Sequence, residues 1–431
     1  MDVTRLRHYI SAPLYRNSLF LIANTIFTTG LGFFFWIAVA RFYTPYEVGA
    51  GSAIISAVYF LALLSTLGLD VAIIRFLPKA EKPAELINAC LTICGIVSLV
   101  IGGIFLAGLD LWLPKLIFVR ERPVFALAFL LFTFGWTLSG LIGSVFIAKR
   151  RAEFNLAKNT IISLLKIPLA IVMVLFFHAF GIVSSWGVAT GIVVILCLFL
   201  FLPRLLGAYK PAPRLDLSMV KNIWKYSVGN YFASILAATP SFILPIMIIN
   251  ILTIDPVEQN AYFYVAWTIA TIPFSIPAAA AQSLFAEGSH FEDKLSINAK
   301  NAFKFTLALL IPTIILLVVL GKWLLLAFGS SYSSNALTLL WILGASGIFV
   351  AINSVYYSIL LVQHRIKELL VLRGLIALVV LVTSAFIIRT IGIVGIGYAW
   401  LGAQALVGVY VALTIRSRYR INGTLTDSQR R

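Results

Sequence analysis

Asp70 and Lys166 carry charge inside long apolar runs of this chain. An ionisable group in such a setting marks a solute or ion path, or pairs with a second one. Both roles stay open for these two, and Lys166 could also reach along its stem toward the nearer surface. Around them polar groups recur at helical spacing. One run carries Asn17, Asn24 and Thr28, and the next Gly49, Ser52, Ser56, Tyr59, Thr66 and Asp70. Asn155, Asn159, Ser163 and Lys166 follow in a third. Later runs hold Tyr226, Asn230, Ser234 and Ser241, then Asn260, Tyr264, Thr268, Thr271 and Ser275, with Gln282 beyond. Residues three and four apart share a helix face. For a single Ser or Thr, interhelical bonding is the simpler reading. The set of stripes points to a wet cavity, where hydroxyl, amide and aromatic groups suit a sugar. The candidate substrate contacts are Asn24, Thr28, Ser56, Tyr59, Asp70, Lys166, Asn230 and Gln282.

Other chemistry finds no support. Asp, His and Ser are not gathered in a catalytic motif, and no Gly-rich loop ends in Gly-Lys-Ser/Thr, which argues against an enzyme or an ATP-driven pump. Cys90, Cys94 and Cys197 have no nearby His or carboxylate, so no metal site is expected and they read as packed thiols. No cofactor is expected; a proton or sodium gradient could supply the driving force.

The elements that position these residues follow from composition. The chain has 431 residues, 61% hydrophobic and only 11% charged, against about 25% charged in soluble domains. Apolar runs of about twenty residues recur throughout, the length that crosses a bilayer core. The expectation is an all-α, polytopic membrane protein of twelve spans, the second over 48–74 and the fifth over 158–177. The first run is long and lacks a cleavage pattern, so it is expected to remain as the first span. With the N-terminus in the cytoplasm, twenty-six of the 33 Lys and Arg fall on that side and six on the other. This asymmetry is the positive-inside pattern and places both termini in the cytoplasm, in a multi-pass cell membrane protein. The net charge of +17 is therefore topological, and no nucleic acid partner is implied. Arg75 and Glu287 close their spans as interfacial anchors.

The stretch 203–222, with Pro203, Pro211 and Pro213, reads as a linker between two halves. A shift of 211 residues takes Pro45, Glu47 and Ala50 onto Pro256, Glu258 and Ala261. It also takes Trp112 onto Trp323, and Gly181, Ile182, Val183 and Gly191 onto Gly392, Ile393, Val394 and Gly402. Six spans per half make this a parallel repeat. The expected organisation is an N-lobe over 1–203, a cytoplasmic linker over 204–222, a C-lobe over 223–416 and a cytoplasmic tail over 417–431. Pro240 and Pro245 in the seventh span, and Pro273 and Pro277 in the eighth, predict helices that bend.

Five stretches carry a resemblance: "ARFYTPYEVGAGSA" (40–53), "LLSTLGLDVAIIRFLP" (63–78), "LLAFGSSYSSNALTLLWIL" (325–343), "ILLVQHRIKE" (359–368) and "GIVGIGYAWLGA" (392–403). With twelve spans in two halves, the chain resembles the multidrug/oligosaccharidyl-lipid/polysaccharide exporter superfamily, and within it the polysaccharide-type lipid-linked oligosaccharide flippases. The resemblance implies two lobes that alternate access. It implies a polyprenyl-(pyro)phosphate-linked sugar or oligosaccharide as substrate, moved from the cytoplasmic to the outer leaflet for cell-surface polysaccharide assembly. Glycosyltransferases and a polysaccharide polymerase are the partners it implies, besides the bilayer itself. Lys166 in the cavity, and Arg16, Arg41 and Arg75 at its mouths, would attract the phosphate by charge and depth. A multidrug and toxic-compound extrusion type antiporter is the rival within the superfamily, disfavoured by the lack of acids in the first and seventh spans. The peptidoglycan-precursor flippases typically have two more spans and a cavity richer in arginine. A non-transporting scaffold for glycan assembly is the alternative from another class.

Overall fold

Thr44 opens the second membrane helix by a reciprocal cap. In the computed structural model its hydroxyl accepts from the Glu47 N–H at 3.3 Å, and the Glu47 carboxylate accepts from the Thr44 N–H at 2.9 Å. Pro45 takes the first helical position, where no N–H is needed. Such signals set the helix starts; apolar length sets their extent. The structure describes residues 13–207, 209–288 and 295–428, apart from some helical side chains near the edges of these ranges. All regular structure among the described residues is helical.

The helices are α1 (Pro13–Phe42), α2 (Pro45–Ser65), α3 (Leu69–Phe76), α4 (Pro83–Ala107), α5 (Pro123–Ala148), α6 (Ala152–Phe177) and α7 (Ala179–Leu206). After the linker come α8 (Leu217–Ile251), α9 (Pro256–Gly288), α10 (Leu295–Phe328), α11 (Ser330–Val362), α12 (Ile366–Ile391) and α13 (Ile393–Ser428). Twelve of these are long and apolar enough to cross a membrane; α3 is the short exception. The chain is a multi-pass membrane protein. Its residues pack as two compact units, Met1–Tyr264 and Val265–Arg431.

In the first unit, α2 is the most enclosed span. Small residues let its neighbours approach: a Cβ on Gly49 would lie 1.7 Å from the Val257 carbonyl oxygen, and one on Gly51 2.9 Å from Ile182. The Asn260 amide completes the first contact, donating to Gly49 O at 2.8 Å and Ser52 Oγ at 3.1 Å. Gly49 and Asn260 are 211 residues apart, so positions equivalent under the sequence repeat touch each other. Seams form between α1 and α6, α6 and α7, and α8 and α2. A core of Leu69, Ile73, Ile87, Leu141, Ile142 and Val193 fills the space among α3, α4, α5 and α7.

The linker is tied down. Tyr209 Oη donates to Asn88 Oδ1 at 2.8 Å, and Asn88 Nδ2 donates to Lys210 O at 2.9 Å. Arg214 pairs with Glu85 at 2.8 Å. Burial pushes the Tyr209 phenol up to about 12.

One expectation fails. The second run does not form a single helix over 48–74: α2 ends at Ser65 and α3 starts at Leu69. Leu67 and Gly68 adopt positive φ, 51° and 75°. Glycine suits the joint twice over, because it takes the positive φ without strain and because a Cβ there would sit 2.7 Å from Tyr231 Cβ of α8. Thr66 and Asp70 therefore do not extend the polar stripe of α2.

In the second unit, α10 packs on α11, while α11 and α12 pack on α13. Asn353 Nδ2 donates to Gln404 Oε1 at 2.8 Å and to its carbonyl at 3.1 Å. Glu368 accepts from Tyr356 Oη at 2.6 Å and pairs with Arg365.

Candidate functional site

Lys166 lies on the face of α6 that meets α1 and α7. Its ammonium stands 4.0 Å from the Trp186 ring centre and 4.7 Å from that of Phe35. The residue is only 5% exposed, and no ion pair joins it to any described residue, Asp70 included. A buried cation normally requires a counter-charge. Here ring faces take that place through their quadrupoles.

Further rings extend the setting into an aromatic cluster within the first unit. Trp186 stacks on Trp136 at 5.1 Å and meets Tyr59 at 5.5 Å. Tyr59 also packs on Trp136 at 4.1 Å and on Phe242 at 5.9 Å. Trp36 joins from α1, 4.7 Å from Tyr264. The Trp186 indole N–H is buried with no hydrogen-bond partner among the described residues. Aromatic faces plus unfilled donors suit a ligand with sugar rings and an oxyanion.

Asn24 and Thr28 belong to the same seam. Asn159 Nδ2 donates to Asn24 Oδ1 at 2.9 Å, and Thr28 Oγ1 donates to Asn24 O at 2.6 Å. Asn159 precedes Lys166 by seven residues on α6, about 10 Å along the axis. The structure thus groups Asn24, Thr28 and Lys166 on one seam and brings Tyr59 to Lys166 through Trp186. Asn230 lies half-buried on α8.

Other expected contacts fall elsewhere. Ser56 is 2% exposed and donates to Ser52 O at 2.9 Å, so its hydroxyl is spent on its own helix. Asp70 is in the first turn of α3, after the break that ends α2, and does not share the face of Ser52 and Ser56. Gln282 is exposed and belongs to the second unit. Arg41 and Arg75 are exposed at the ends of α1 and α3. The side chain of Arg16 lies outside the described residues.

Lys158 escapes a reading from sequence because it stands at the very start of the expected fifth span, just after the basic run Lys149–Arg151, and is counted with that loop's charge. It is inside α6, 4% exposed, with Nζ donating to Ser139 O at 2.6 Å. Beside it α7 passes through a π-helical segment, Cys197–Phe201. Phe35, Trp136 and Trp186 were equally silent, since single aromatics in apolar spans form no local pattern.

The described residues hold twelve helices long and apolar enough to cross a membrane and, in the first unit, a buried lysine among aromatic rings; solved structures agree in fold. The lipid II flippase MurJ, in an inward closed conformation, superposes with a TM-score of 0.73 at 13% identity, over 92% of this chain and 87% of that one. An inward-facing multidrug resistance MATE family transporter gives 0.68 at 15% identity, over 91% and 94%. A superfamily transporter from Pyrococcus furiosus, described for the reverse polarity of its binding pocket, gives 0.61 at 15%, over 94% and 95%. At such identities the likeness is one of fold. A search of curated proteins returned no match. The family model described as polysaccharide biosynthesis protein matches residues 14–285, more than half of the chain. The protein belongs to that family, within the multidrug/oligosaccharidyl-lipid/polysaccharide exporter superfamily.

Proposed function

We propose that the protein is a flippase that carries a polyprenyl-(pyro)phosphate-linked sugar or oligosaccharide from the cytoplasmic to the outer leaflet by alternating access. The observation that carries this reading is Lys166: a buried ammonium held by Trp186 and Phe35 rather than by a carboxylate. A phosphate oxygen arriving there meets a cation that has no anion to give up. Tyr59, Trp136 and Trp186 offer faces for sugar rings, and the Asn24–Asn159 pair offers amides. The lipid tail can remain in the bilayer.

In this reading the protein sits in the cytoplasmic membrane with both termini inside, as the basic asymmetry suggests. Its two halves, 1–203 and 223–416, act as repeats joined by the linker, and the prolines of α8 and α9 let those helices bend. Arg41 and Arg75 draw phosphate toward the cavity mouths. Glycosyltransferases would supply the substrate and a polymerase would consume it. A drug antiporter of the extrusion type shares the fold, but an unpaired ammonium among aromatic rings repels organic cations. Proteoliposomes carrying labelled polyprenyl-pyrophosphate oligosaccharide test the reading. Accelerated transfer that is lost in Lys166→Ala supports it. Transport of an organic cation, with no transfer of the lipid-linked glycan, would overturn it.

A further inference from the structure

Trp186 and Trp400 are the two tryptophans whose indole N–H is buried with no hydrogen-bond partner among the described residues. They occupy equivalent places in the two halves. Ala152 and Phe177 bound α6 as Ile366 and Ile391 bound α12, each 214 residues on, and the same shift takes the start of α7, Ala179, to that of α13, Ile393. The single residue between each pair of helices has positive φ, 48° at His178 and 64° at Gly392. The offset here is three residues longer than the 211 that separate Gly49 and Asn260. It sets Trp400 against Trp186, Gln404 against Thr190, and Val380 against Lys166.

The two places differ in what they leave unfilled. At Trp186 the Lys166 ammonium stands 4.0 Å from the ring centre, and the Thr190 hydroxyl, one turn further on α7, is buried without a partner. All three groups can donate, which suits an oxyanion. In the second unit the fully buried isopropyl group of Val380 replaces the ammonium. Trp400 is 9% exposed, and its ring meets Trp267 of α9 at 4.9 Å and Phe274 at 6.5 Å. Trp267 and Phe274 are seven residues apart on one face of α9, and both are half-buried. One turn beyond Trp400, Gln404 Oε1 accepts from Asn353 Nδ2 at 2.8 Å. The other amide atom of Asn353, Oδ1, is buried with no partner among the described residues.

An unfilled donor and an unfilled acceptor therefore lie either side of Gln404, next to aromatic rings. Buried polar atoms are normally paired, so both call for a bound group. An anion has no proton to give Asn353 Oδ1, and a cation has no lone pair for Trp400 Nε1. A hydroxyl group supplies both. The nearest charge along α12, Arg373, precedes Val380 by seven residues, about 10 Å along the axis. Its guanidinium lies over the Tyr357 ring, 5.4 Å from the centre.

We infer that Trp400, with Asn353 and Trp267, forms a binding site for an uncharged sugar ring. The sugar hydroxyls fill the two orphaned atoms, and its apolar CH face rests on the indoles. The inference rests on the flippase reading for the source of the sugar, the glycan of a lipid-linked substrate. The repeat then divides recognition by chemistry, with phosphate at Lys166 and neutral sugar at Trp400.

The test reads binding without transport, so its failure and the failure of the flippase reading are separate results. Saturation-transfer NMR is recorded on the full chain in nanodiscs, titrated with the methyl glycosides of glucose, galactose and N-acetylglucosamine. Methyl glucuronide and choline serve as the anionic and cationic probes. At least one neutral glycoside should bind the parent protein. Gly402→Ala, whose added Cβ meets nothing within 4 Å, should bind it equally. Trp400→Phe keeps a ring but removes the donor, and should weaken binding by about two- to tenfold. Unchanged affinity in Trp400→Phe overturns the proposal, as does a parent that binds none of the neutral glycosides. Trp400-dependent binding of the glucuronide or choline in their place overturns it too. If Trp400→Phe does not fold, Trp267→Leu decides: an undiminished affinity there overturns the proposal equally.

Discussion

Replacing Lys166 by Met should move stability and ligand affinity in opposite directions. The ammonium is 5% exposed, with its nearest rings at 4.0 and 4.7 Å. Burying a charge costs several kcal/mol, and a desolvated cation–π contact offsets about 2 kcal/mol. Two such contacts leave the resting charge near break-even or at a net cost. Methionine has a similar length and no charge, and its sulfur packs against rings for ~0.3–1.5 kcal/mol. The Met variant should therefore unfold at the same temperature as the parent or higher. Phosphate recognition should fall. A hydrogen bond to a charged group contributes ~1.5–3 kcal/mol, equivalent to a loss of about ten- to a hundredfold in Kd. Titrating purified protein with polyprenyl pyrophosphate and with the corresponding polyprenol isolates this contribution, because only the first carries the anion. The affinity ratio of the two lipids should collapse toward one in Lys166→Met. An unchanged ratio, or a marked drop in melting temperature with the ratio intact, would show that Lys166 serves packing alone.

Gly49→Ala brings a Cβ to 1.7 Å from the Val257 carbonyl, whereas Gly30→Ala meets nothing within 4 Å. Thermal unfolding should show a loss of about 1–3 kcal/mol or more for the first and little change for the second. Asn24→Leu and Asn159→Leu each remove one partner of a half-buried amide pair and should each cost about 0.5–1.5 kcal/mol. The double variant should cost less than their sum, and an additive result would show that the pair is not coupled. Tyr209 has a folded pKa raised by burial above its unfolded value of 10, up to about 12. Its contribution is complete below pH 10 and fades as pH rises toward 12. Limited proteolysis of the linker should report that loss, and Tyr209→Phe should abolish its pH dependence.

Much of the scaffold was legible in advance. Hydropathy alone marked the twelve spans, because length and apolarity are what a bilayer demands. The repeat was readable as a constant offset of 211 residues, and Gly49 and Asn260, one such offset apart, meet in a hydrogen bond of 2.8 Å. The joint at Thr66–Gly68 was not readable, since "STLGLD" keeps its apolar character and the residues packed against the break, Tyr231 and Cys94, are distant in sequence. Ser52 and Ser56 fall on one face, and both hydroxyls donate to carbonyls of their own helix while Ser52 Oγ also accepts from Asn260. The aromatic cluster around Lys166 was half visible. The lysine stood out as a charge in grease; the rings that receive it come from α1 and α7, those behind them from α2, α5 and α8, and they share no sequence pattern.

The central claim is that Lys166 handles the phosphate of a lipid-linked glycan during its passage across the bilayer. Leaflet-resolved transfer of fluorescent polyprenyl-pyrophosphate oligosaccharide in proteoliposomes measures this directly, for the parent, Lys166→Arg and Lys166→Met. The account predicts rapid transfer for the parent, partial transfer for Arg and background transfer for Met. Equal rates for the parent and Lys166→Met would contradict it.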